Sequence, residues 1–140
     1  IGRKLTCRVV DLMVSGDEMP FVDINAPMNR VIEVMTEKKL GIAVITEKGK
    51  IAGVITDGDL RRLLQRVERP LDIDAREALL KSSRDGMPRG MPLTIEPEAY
   101  AVRAVNIMEQ HIVTSLIVSR GDGVPLGLIR WIDLSLAGVV

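Results

Sequence analysis

One pattern of residues occurs twice in the chain, and this repeat limits the possible folds more than any other feature. Aligned with one inserted residue, residues 28–60 correspond to residues 101–134. The alignment pairs Met35 with Met108, Leu40 with Val113, Gly53 with Gly127, Asp59 with Asp133 and Leu60 with Leu134. Such a duplication predicts two copies of one supersecondary unit, neither of which closes a hydrophobic core alone.

Each copy has the same predicted order of elements. A short extended segment (21–24 or 93–95) precedes a proline, Pro27 or Pro97, of the kind found in a first helical turn. Apolar residues then recur at helical spacing, and two β-rich runs joined by a glycine-containing link predict a hairpin. A second helix follows, so the predicted unit is β-α-β-β-α, twice. The fold class is α/β (α+β), with the repeats packed about a pseudo-twofold axis.

The sequence between and before the repeats sets the predicted domain boundaries. A short helix is predicted around Ala75 to Lys81, and Ser82 to Met91 has the Gly, Pro, Ser and Asp content of a loop. The predicted divisions are an entry linker at 1–19, a first repeat at 20–67, an inter-repeat linker at 68–91 and a second repeat at 92–140.

Composition excludes several classes of protein. Lys+Arg and Asp+Glu are both 19 and aromatic residues are 2%, which argues against nucleic-acid binding. No apolar run approaches the ~18 to 20 residues that span a bilayer, and no signal peptide is present, so no membrane partner is expected. The single cysteine, Cys7, excludes an internal disulfide and favours a reducing, cytoplasmic location. The given sequence begins at Ile1 and not at an initiator Met, so we expect it to be a piece of a longer protein.

The turn 56-TDGDLRR-62 is the segment whose residue types most clearly indicate a possible binding site. A helix beginning near Asp59 has unpartnered N–H groups and a dipole that favour an anion, and a carboxylate matches the diol of a sugar. Thr56 can donate to a phosphate, Gly58 admits a close ligand, and Arg62 can pair with a phosphate. Two interpretations remain open: Asp57 or Asp59 is the helix N-cap, or the turn also holds a ligand.

The repeats and this turn resemble a tandem pair of CBS (cystathionine-β-synthase) domains. Gly53, Thr56 and Asp59 match the family's Gly-hydrophobic-x-Thr-x-x-Asp motif. The segments 1-IGRKL-5, 9-VVDLM-13, 15-SGDEMPFV-22 and 137-AGVV-140 further resemble the C-terminal part of bacterial arabinose 5-phosphate isomerases. These enzymes join a sugar-isomerase (SIS) domain to a CBS pair. The resemblance implies that this fragment lacks the catalytic domain and is not itself an enzyme.

The resemblance also implies a regulatory site in the cleft between the repeats. The expected ligand-binding residues are Thr56, Asp57, Gly58, Asp59, Arg62, Ile42, Thr114, Ser115 and Asp133. The expected ligand is an adenine nucleotide or CMP-Kdo, a product of the Kdo pathway for lipopolysaccharide or capsule, and no cofactor is required. We expect Asp59→Ala to abolish binding without loss of folding. The expected partners are the SIS domain of the parent chain and a second copy, and the alternative function is a ligand-free dimerisation module.

The second copy of the motif is degraded. Arg130 replaces Thr56, Trp131 replaces Asp57 and Ile132 replaces Gly58, whereas Asp133 is retained. One asymmetric ligand site is therefore expected. With one histidine, His111, and one cysteine, the chain has no zinc-type cluster and no evident acid–base pair for catalysis.

Overall fold

The computed structural model describes residues 6–84 and 91–140, and its contacts form two compact units. The first-repeat unit is Pro20–Met91. The second-repeat unit combines Pro92–Val140 with the residues that precede Pro20. The expectation of two units of similar construction is thus confirmed, and each is described by itself below.

The first-repeat unit has the predicted β-α-β-β-α order. Its elements are β2 (Phe21–Asp23), α2 (Met28–Lys38), β3 (Ile42–Glu47), β4 (Lys50–Thr56), α3 (Asp57–Arg66) and α4 (Ala75–Lys81). The sheet order is β2-β3-β4, with β2 parallel to β3 and β3 antiparallel to β4. Buried aliphatic side chains of α2, β3 and β4 form its core, among them Val31, Ile45 and Ile55.

The turn between β3 and β4 explains why these strands form a hairpin. Lys48 (φ 52°) and Gly49 (φ 78°) both occupy the left-handed region, which two-residue hairpin loops of type I′ require. Glycine adopts this conformation without steric cost, and its place in the Lys48-Gly49 link is the signal that predicted the turn.

The short helix α4 packs closely on the sheet. Its N-cap, Asp74, accepts a hydrogen bond from the Glu77 backbone N–H at 2.9 Å. A Cβ atom on Gly53 would lie only 2.8 Å from Leu79 Cδ2, so the glycine of β4 leaves the space that Leu79 fills. The prediction of a helix around Ala75 to Lys81 is confirmed, and the predicted loop begins at Ser82. Residues 85–90 of that loop lie outside the described part of the chain.

The second-repeat unit contains the same order with an additional strand. Its elements are α1 (Val9–Leu12), β1 (Val14–Ser15), β5 (Thr94–Ile95), α5 (Ala101–His111), β6 (Ser115–Val118), β7 (Gly127–Arg130) and α6 (Trp131–Leu136). The sheet order is β1-β7-β6-β5, in which β1 is antiparallel to β7. The glycine-containing link between β6 and β7 is longer than the one between β3 and β4, because β6 ends at Val118 and β7 begins at Gly127.

Residues 6–19 pack with the second repeat, whereas the sequence predicted that residues 1–19 form a linker leading into the first. Val9 is fully buried, and its N–H donates to the Ala99 carbonyl at 2.9 Å. The Val10 N–H donates to the Pro97 carbonyl at 2.9 Å. β1 then extends the sheet beside Gly127, where a Cβ atom would lie 2.8 Å from the Val14 carbonyl oxygen.

The two prolines have different positions. Pro27 is the N-cap of α2 and directly precedes its first residue. The expectation of a first-turn proline is wrong for Pro97, because α5 begins at Ala101 with Tyr100 as its N-cap. Pro97 instead lies in a turn in which the Ala99 N–H donates to the Glu96 carbonyl at 3.1 Å. The carbonyl of Pro97 itself accepts from the Val10 N–H of the N-terminal segment.

The packing of α1 predicts a difference between two adjacent valines. Val9→Ala removes buried methyl groups and should lower the free energy of unfolding by about 1–3 kcal/mol. Val10 is 48% exposed, so Val10→Ala should change it by less than about 0.5 kcal/mol. Urea denaturation followed by circular dichroism measures both. Equal effects of the two substitutions would contradict the packing of α1 on the second repeat.

Candidate functional site

The turn between β4 and α3 is built as a capping box. Thr56 is the N-cap: its Oγ1 accepts from the Asp59 N–H at 3.2 Å, and the Asp59 carboxylate accepts from the Thr56 N–H at 2.8 Å. The prediction that Asp57 or Asp59 is the N-cap is wrong, because α3 begins at Asp57 and Asp59 is its third residue. The T-x-x-D spacing is a known signature of this reciprocal arrangement.

Asp59 is a buried carboxylate with a charged partner. It is 2% exposed, and its Oδ1 accepts from Arg62 Nη2 at 2.5 Å. Arg62 Nε in turn donates to the Ser82 backbone carbonyl at 2.9 Å. A buried carboxylate requires such pairing, because desolvation of an unpaired charge is costly. Both Asp59 and Arg62 therefore have structural roles in the fold.

Asp57 occupies the exposed side of the same turn. Its N–H donates to the Gly41 carbonyl at 3.2 Å, and its carboxylate lies above Gly41, where a Cβ atom would be 3.2 Å from Oδ2. Gly41 has a φ of 72°, so it is suited to this position on both conformational and steric grounds. A cavity of about 370 Å³ adjoins Asp57, and it is lined by Ile32, Met35, Thr36, Lys39, Gly41, Asp57 and Leu60.

The remaining first-repeat candidates lie around this turn. Gly58 is half-buried, and the atoms nearest to a Cβ atom placed there would be Thr56 Oγ1 and the tip of Arg62, at 3.7 to 3.8 Å. Ile42 is 4% exposed and pairs with Thr56 across β3 and β4. The structure thus brings together Ile42 and the predicted residues from Thr56 to Arg62.

The other predicted residues, Thr114, Ser115 and Asp133, belong to the second-repeat unit. The Thr114 carbonyl accepts from the Trp131 N–H at 2.8 Å, and Ser115 pairs with Arg130 across β6 and β7. Asp133 accepts from the Arg130 N–H at 2.9 Å, and the Arg130 guanidinium reaches both of its carboxylate oxygens, at 2.7 and 3.1 Å. The motif aspartate of this repeat therefore has the same capping position, paired with an arginine at the N-cap.

A second, larger concavity lies along α2 and α3. It has a volume of about 610 Å³ and is lined mainly by apolar side chains: Met28, Ile32, Leu60, Leu63, Leu64, Arg69, Pro70, Leu71 and Asp72. Leu64 is 69% exposed and Leu71 is 56% exposed. We call this surface the α2–α3 groove. It adjoins the cavity at Asp57, since Ile32 and Leu60 line both.

The residues that the structure describes include neither a metal-type cluster nor a membrane-spanning helix. Within 6–84 and 91–140, no three His, Cys, Asp or Glu side chains are grouped in a way that would hold a metal ion. Over those ranges, no helix has both the length and the apolar character needed to cross a membrane. His111, the one histidine of the sequence, is the last residue of α5.

The repeated units and the capped Thr-x-x-Asp turn are similar in fold to solved CBS-domain structures. The CBS domain family matches residues 9–66. The crystal structure of CBSX2 in complex with AMP has a TM-score of 0.76 at 18% identity, covering 95% of this chain and 96% of that chain. The CBS domain of the bacterial CNNM/CorC family Mg²⁺ transporter in complex with ATP has a TM-score of 0.74 at 16% identity, covering 98% and 89%.

In sequence the chain is similar to arabinose 5-phosphate isomerases. It is 38% identical over 141 residues to arabinose 5-phosphate isomerase KdsD of Yersinia pestis, covering 100% of this chain and 40% of that protein. The KdsD of Pseudomonas aeruginosa is 36% identical over the same share of each. The chain therefore spans 40% of the length of these relatives. The match to a CBS region agrees with the expectation that this chain is not itself the isomerase.

Sequence reasoning missed two residues that shape the site, Lys39 and Arg66. Lys39 lines the cavity beside Asp57 together with Gly41, which the sequence did indicate, and both have positive φ. Arg66 donates to the Lys81 backbone carbonyl at 3.1 Å and also to that of Ser83. The Leu-Gly after α2 is a helix-ending signal that points to Gly41, but no local pattern predicts which carbonyls Arg66 reaches.

The capping box predicts graded losses of stability at Thr56. Thr56→Ala should lower the free energy of unfolding by about 1 kcal/mol, because the Asp59 N–H loses its acceptor. Thr56→Ser keeps a hydroxyl and should retain most of the stability. Thermal and urea denaturation of both variants test this, and an equal loss for serine and alanine would exclude a capping role for the hydroxyl.

Asp59→Ala should be more disruptive than the sequence led us to expect. It leaves the Thr56 N–H and the Arg62 guanidinium without their acceptor in a buried setting, at a cost of about 2–4 kcal/mol. Asp57→Ala, on the exposed side of the turn, should cost less than about 0.5 kcal/mol by the same measurement. A smaller effect for Asp59→Ala than for Asp57→Ala would contradict the geometry of the turn.

Proposed function

We propose that this chain is a regulatory CBS module that binds an adenine nucleotide at the turn from Thr56 to Asp59. The observation that carries the proposal is the capped N-terminus of α3, which holds a hydroxyl and two carboxylates in a fixed geometry. The similar folds solved with AMP and with ATP support an adenine nucleotide over CMP-Kdo. CMP-Kdo remains the candidate that the relatives' pathway would supply.

The chemistry of the turn suits a phosphorylated ribose. Thr56 Oγ1 accepts from the Asp59 N–H, which leaves the hydroxyl proton for a phosphate oxygen. The dipole of α3, a helix of 10 residues, favours an anion at the same end. Carboxylate oxygens accept from the two hydroxyl groups of a ribose, and Gly58 presents no side chain that would block the approach.

The parent protein is proposed to be an arabinose 5-phosphate isomerase. Such an enzyme interconverts ribulose 5-phosphate and arabinose 5-phosphate in the cytoplasm and feeds Kdo synthesis. The 36–38% identity to KdsD proteins, over the whole of this chain and 40% of theirs, supports this assignment. The module would then bias the attached SIS domain, provided the nucleotide has different affinities for two states of the module.

A second candidate function is assembly, and the α2–α3 groove favours it. An exposed apolar surface of this kind is typical of an interface between proteins. Both signs of charge are present on it: Arg69 and Asp72 line the groove and lie 3.9 Å apart, and Lys39 and Asp57 line the adjoining cavity. A two-fold contact places the same surface of both copies together, so it brings both signs of charge to the interface from each copy. We therefore propose a second copy of the chain as the occupant.

Nucleotide binding predicts unequal effects of equivalent substitutions in the two repeats. Asp59→Asn and Asp133→Asn each remove one charge from a capping aspartate that is paired with an arginine. Asp59→Asn should weaken AMP binding by about tenfold or more, as expected for a hydrogen bond to a charged group. Asp133→Asn should leave it unchanged.

Calorimetric titration with AMP, ATP, CMP and CMP-Kdo measures these affinities, and denaturation gives the stability of each variant. Equal losses of affinity in both variants would indicate an effect on folding alone. The absence of saturable binding to the whole panel would exclude the nucleotide site and leave assembly as the function.

Assembly predicts that a charge within the groove prevents self-association. Leu64→Glu should shift the chain from dimer to monomer in sedimentation velocity, because it places a carboxylate in an apolar interface. Leu80→Glu is the matched control, since Leu80 is also exposed, at 61%, but lies outside the groove. A dimer that survives Leu64→Glu, or that Leu80→Glu disrupts equally, would exclude this surface.

A further inference from the structure

Two arginines of α3 hold the backbone that follows α4. Arg62 Nε donates to the Ser82 carbonyl at 2.9 Å, and Arg66 donates to the carbonyls of Lys81 and Ser83 and, at 3.3 Å, of Arg84. We call these two side chains and the carbonyls of residues 81–84 the arginine latch. Because helix ends leave carbonyls without intrahelical partners, the latch satisfies the C-terminal end of α4.

Arg62 belongs to the latch and to the ligand-binding turn at once. Its Nη2 donates to Asp59 Oδ1 at 2.5 Å, while its Nε donates to Ser82. Asp59 is 2% exposed and Ser82 is fully buried, so both hydrogen bonds lie where water screens them little. One guanidinium thus connects the motif aspartate directly to the segment after α4.

The latched conformation retains an unsatisfied polar group. Ser83 is 3% exposed, and its Oγ has no hydrogen-bond partner in the described part of the protein. A buried hydroxyl in this condition destabilises the conformation that contains it, and movement of the segment would allow it to bind water. The hydrogen bonds from the arginines therefore hold the segment from Ser82 to Arg84 in place, although the buried Ser83 hydroxyl destabilises this conformation.

The second repeat lacks this connection. Arg130 donates from both Nε and Nη2 to Asp133, so these guanidinium hydrogen bonds stay within the turn between β7 and α6. No hydrogen bond from Arg130 to another segment is present among the residues the structure describes. Over residues 6–84 and 91–140, an arginine therefore links the turn to a distant backbone segment in the first repeat and not in the second.

We propose that nucleotide binding at the turn weakens the arginine latch, and that a bound nucleotide thereby releases residues 82–84. The inference rests on the proposed function. A ribose hydroxyl that donates to the Asp59 carboxylate competes with Arg62 for the same oxygens. A weaker Asp59–Arg62 pair then weakens the hold of Arg62 on Ser82, and the unsatisfied Ser83 hydroxyl favours release.

Coupling between two sites is reciprocal, so the state of the latch must also affect the affinity for the nucleotide. If nucleotide binding releases the latch, then opening the latch by mutation must tighten nucleotide binding. Arg66→Gln opens it without altering the turn, since Arg66 contacts the carbonyls of residues 81, 83 and 84. The expected result is an AMP dissociation constant at least threefold lower than that of the unmodified chain.

The experiment measures amide hydrogen exchange in peptides covering residues 79–84 of the full chain, with and without saturating AMP. AMP should speed exchange at least threefold, and Arg66→Gln should do so without AMP. Arg66→Lys, which keeps the charge but not the paired donors, should give an intermediate rate. Arg76→Gln is the control, because Arg76 is a residue of α4 whose exposed guanidinium pairs with Glu47.

The outcomes separate the two proposals. Saturable AMP binding with unchanged exchange at residues 79–84, or with unchanged affinity in Arg66→Gln, overturns the latch and leaves the nucleotide site in place. Faster exchange in Arg76→Gln equal to that in Arg66→Gln also overturns it, as a general loosening of α4. No saturable binding of AMP, ATP, CMP or CMP-Kdo overturns the proposed function and the latch together.

Discussion

The burial of the Asp59 carboxylate is the constraint on which the first repeat depends. A charge removed from water must be surrounded by donors, and here the Thr56 N–H and the Arg62 guanidinium supply them. Those two bonds fix where β4 ends, where α3 begins and which way Arg62 points. Because Arg62 also reaches Ser82, the same carboxylate determines the path of the chain after α4.

The two repeats satisfy this constraint with different residues. In the first, the N-cap is a threonine and the arginine lies one turn into α3; in the second, Arg130 is both the N-cap residue and the charged partner of Asp133. The exchange preserves the capped helix and the arginine-paired carboxylate while removing a hydroxyl from the turn. Fold and ligand chemistry can therefore diverge between copies of one motif, which is why a duplicated fold is consistent with a single binding site.

Much of the fold was predictable because it rests on local patterns. The order of elements, the Lys48-Gly49 hairpin and the helix at Ala75–Lys81 follow from periodicity and turn chemistry. The sequence predicted which segment forms the candidate site, but it did not predict the different roles of Asp57 and Asp59 within that segment. Asp57 and Asp59 are two residues apart in a helix, and only packing makes the first exposed and the second buried.

The sequence by itself determined that the chain contains two β-α-β-β-α units and that the first carries a Thr-x-x-Asp turn, since both depend on spacing along the chain. Only the tertiary structure decided that the residues around Val9 pack with the second repeat and that Arg62 and Arg66 hold the carbonyls after α4. These contacts join residues far apart in sequence. Their partners are selected by buried surface and by unpaired backbone groups, which no local pattern records.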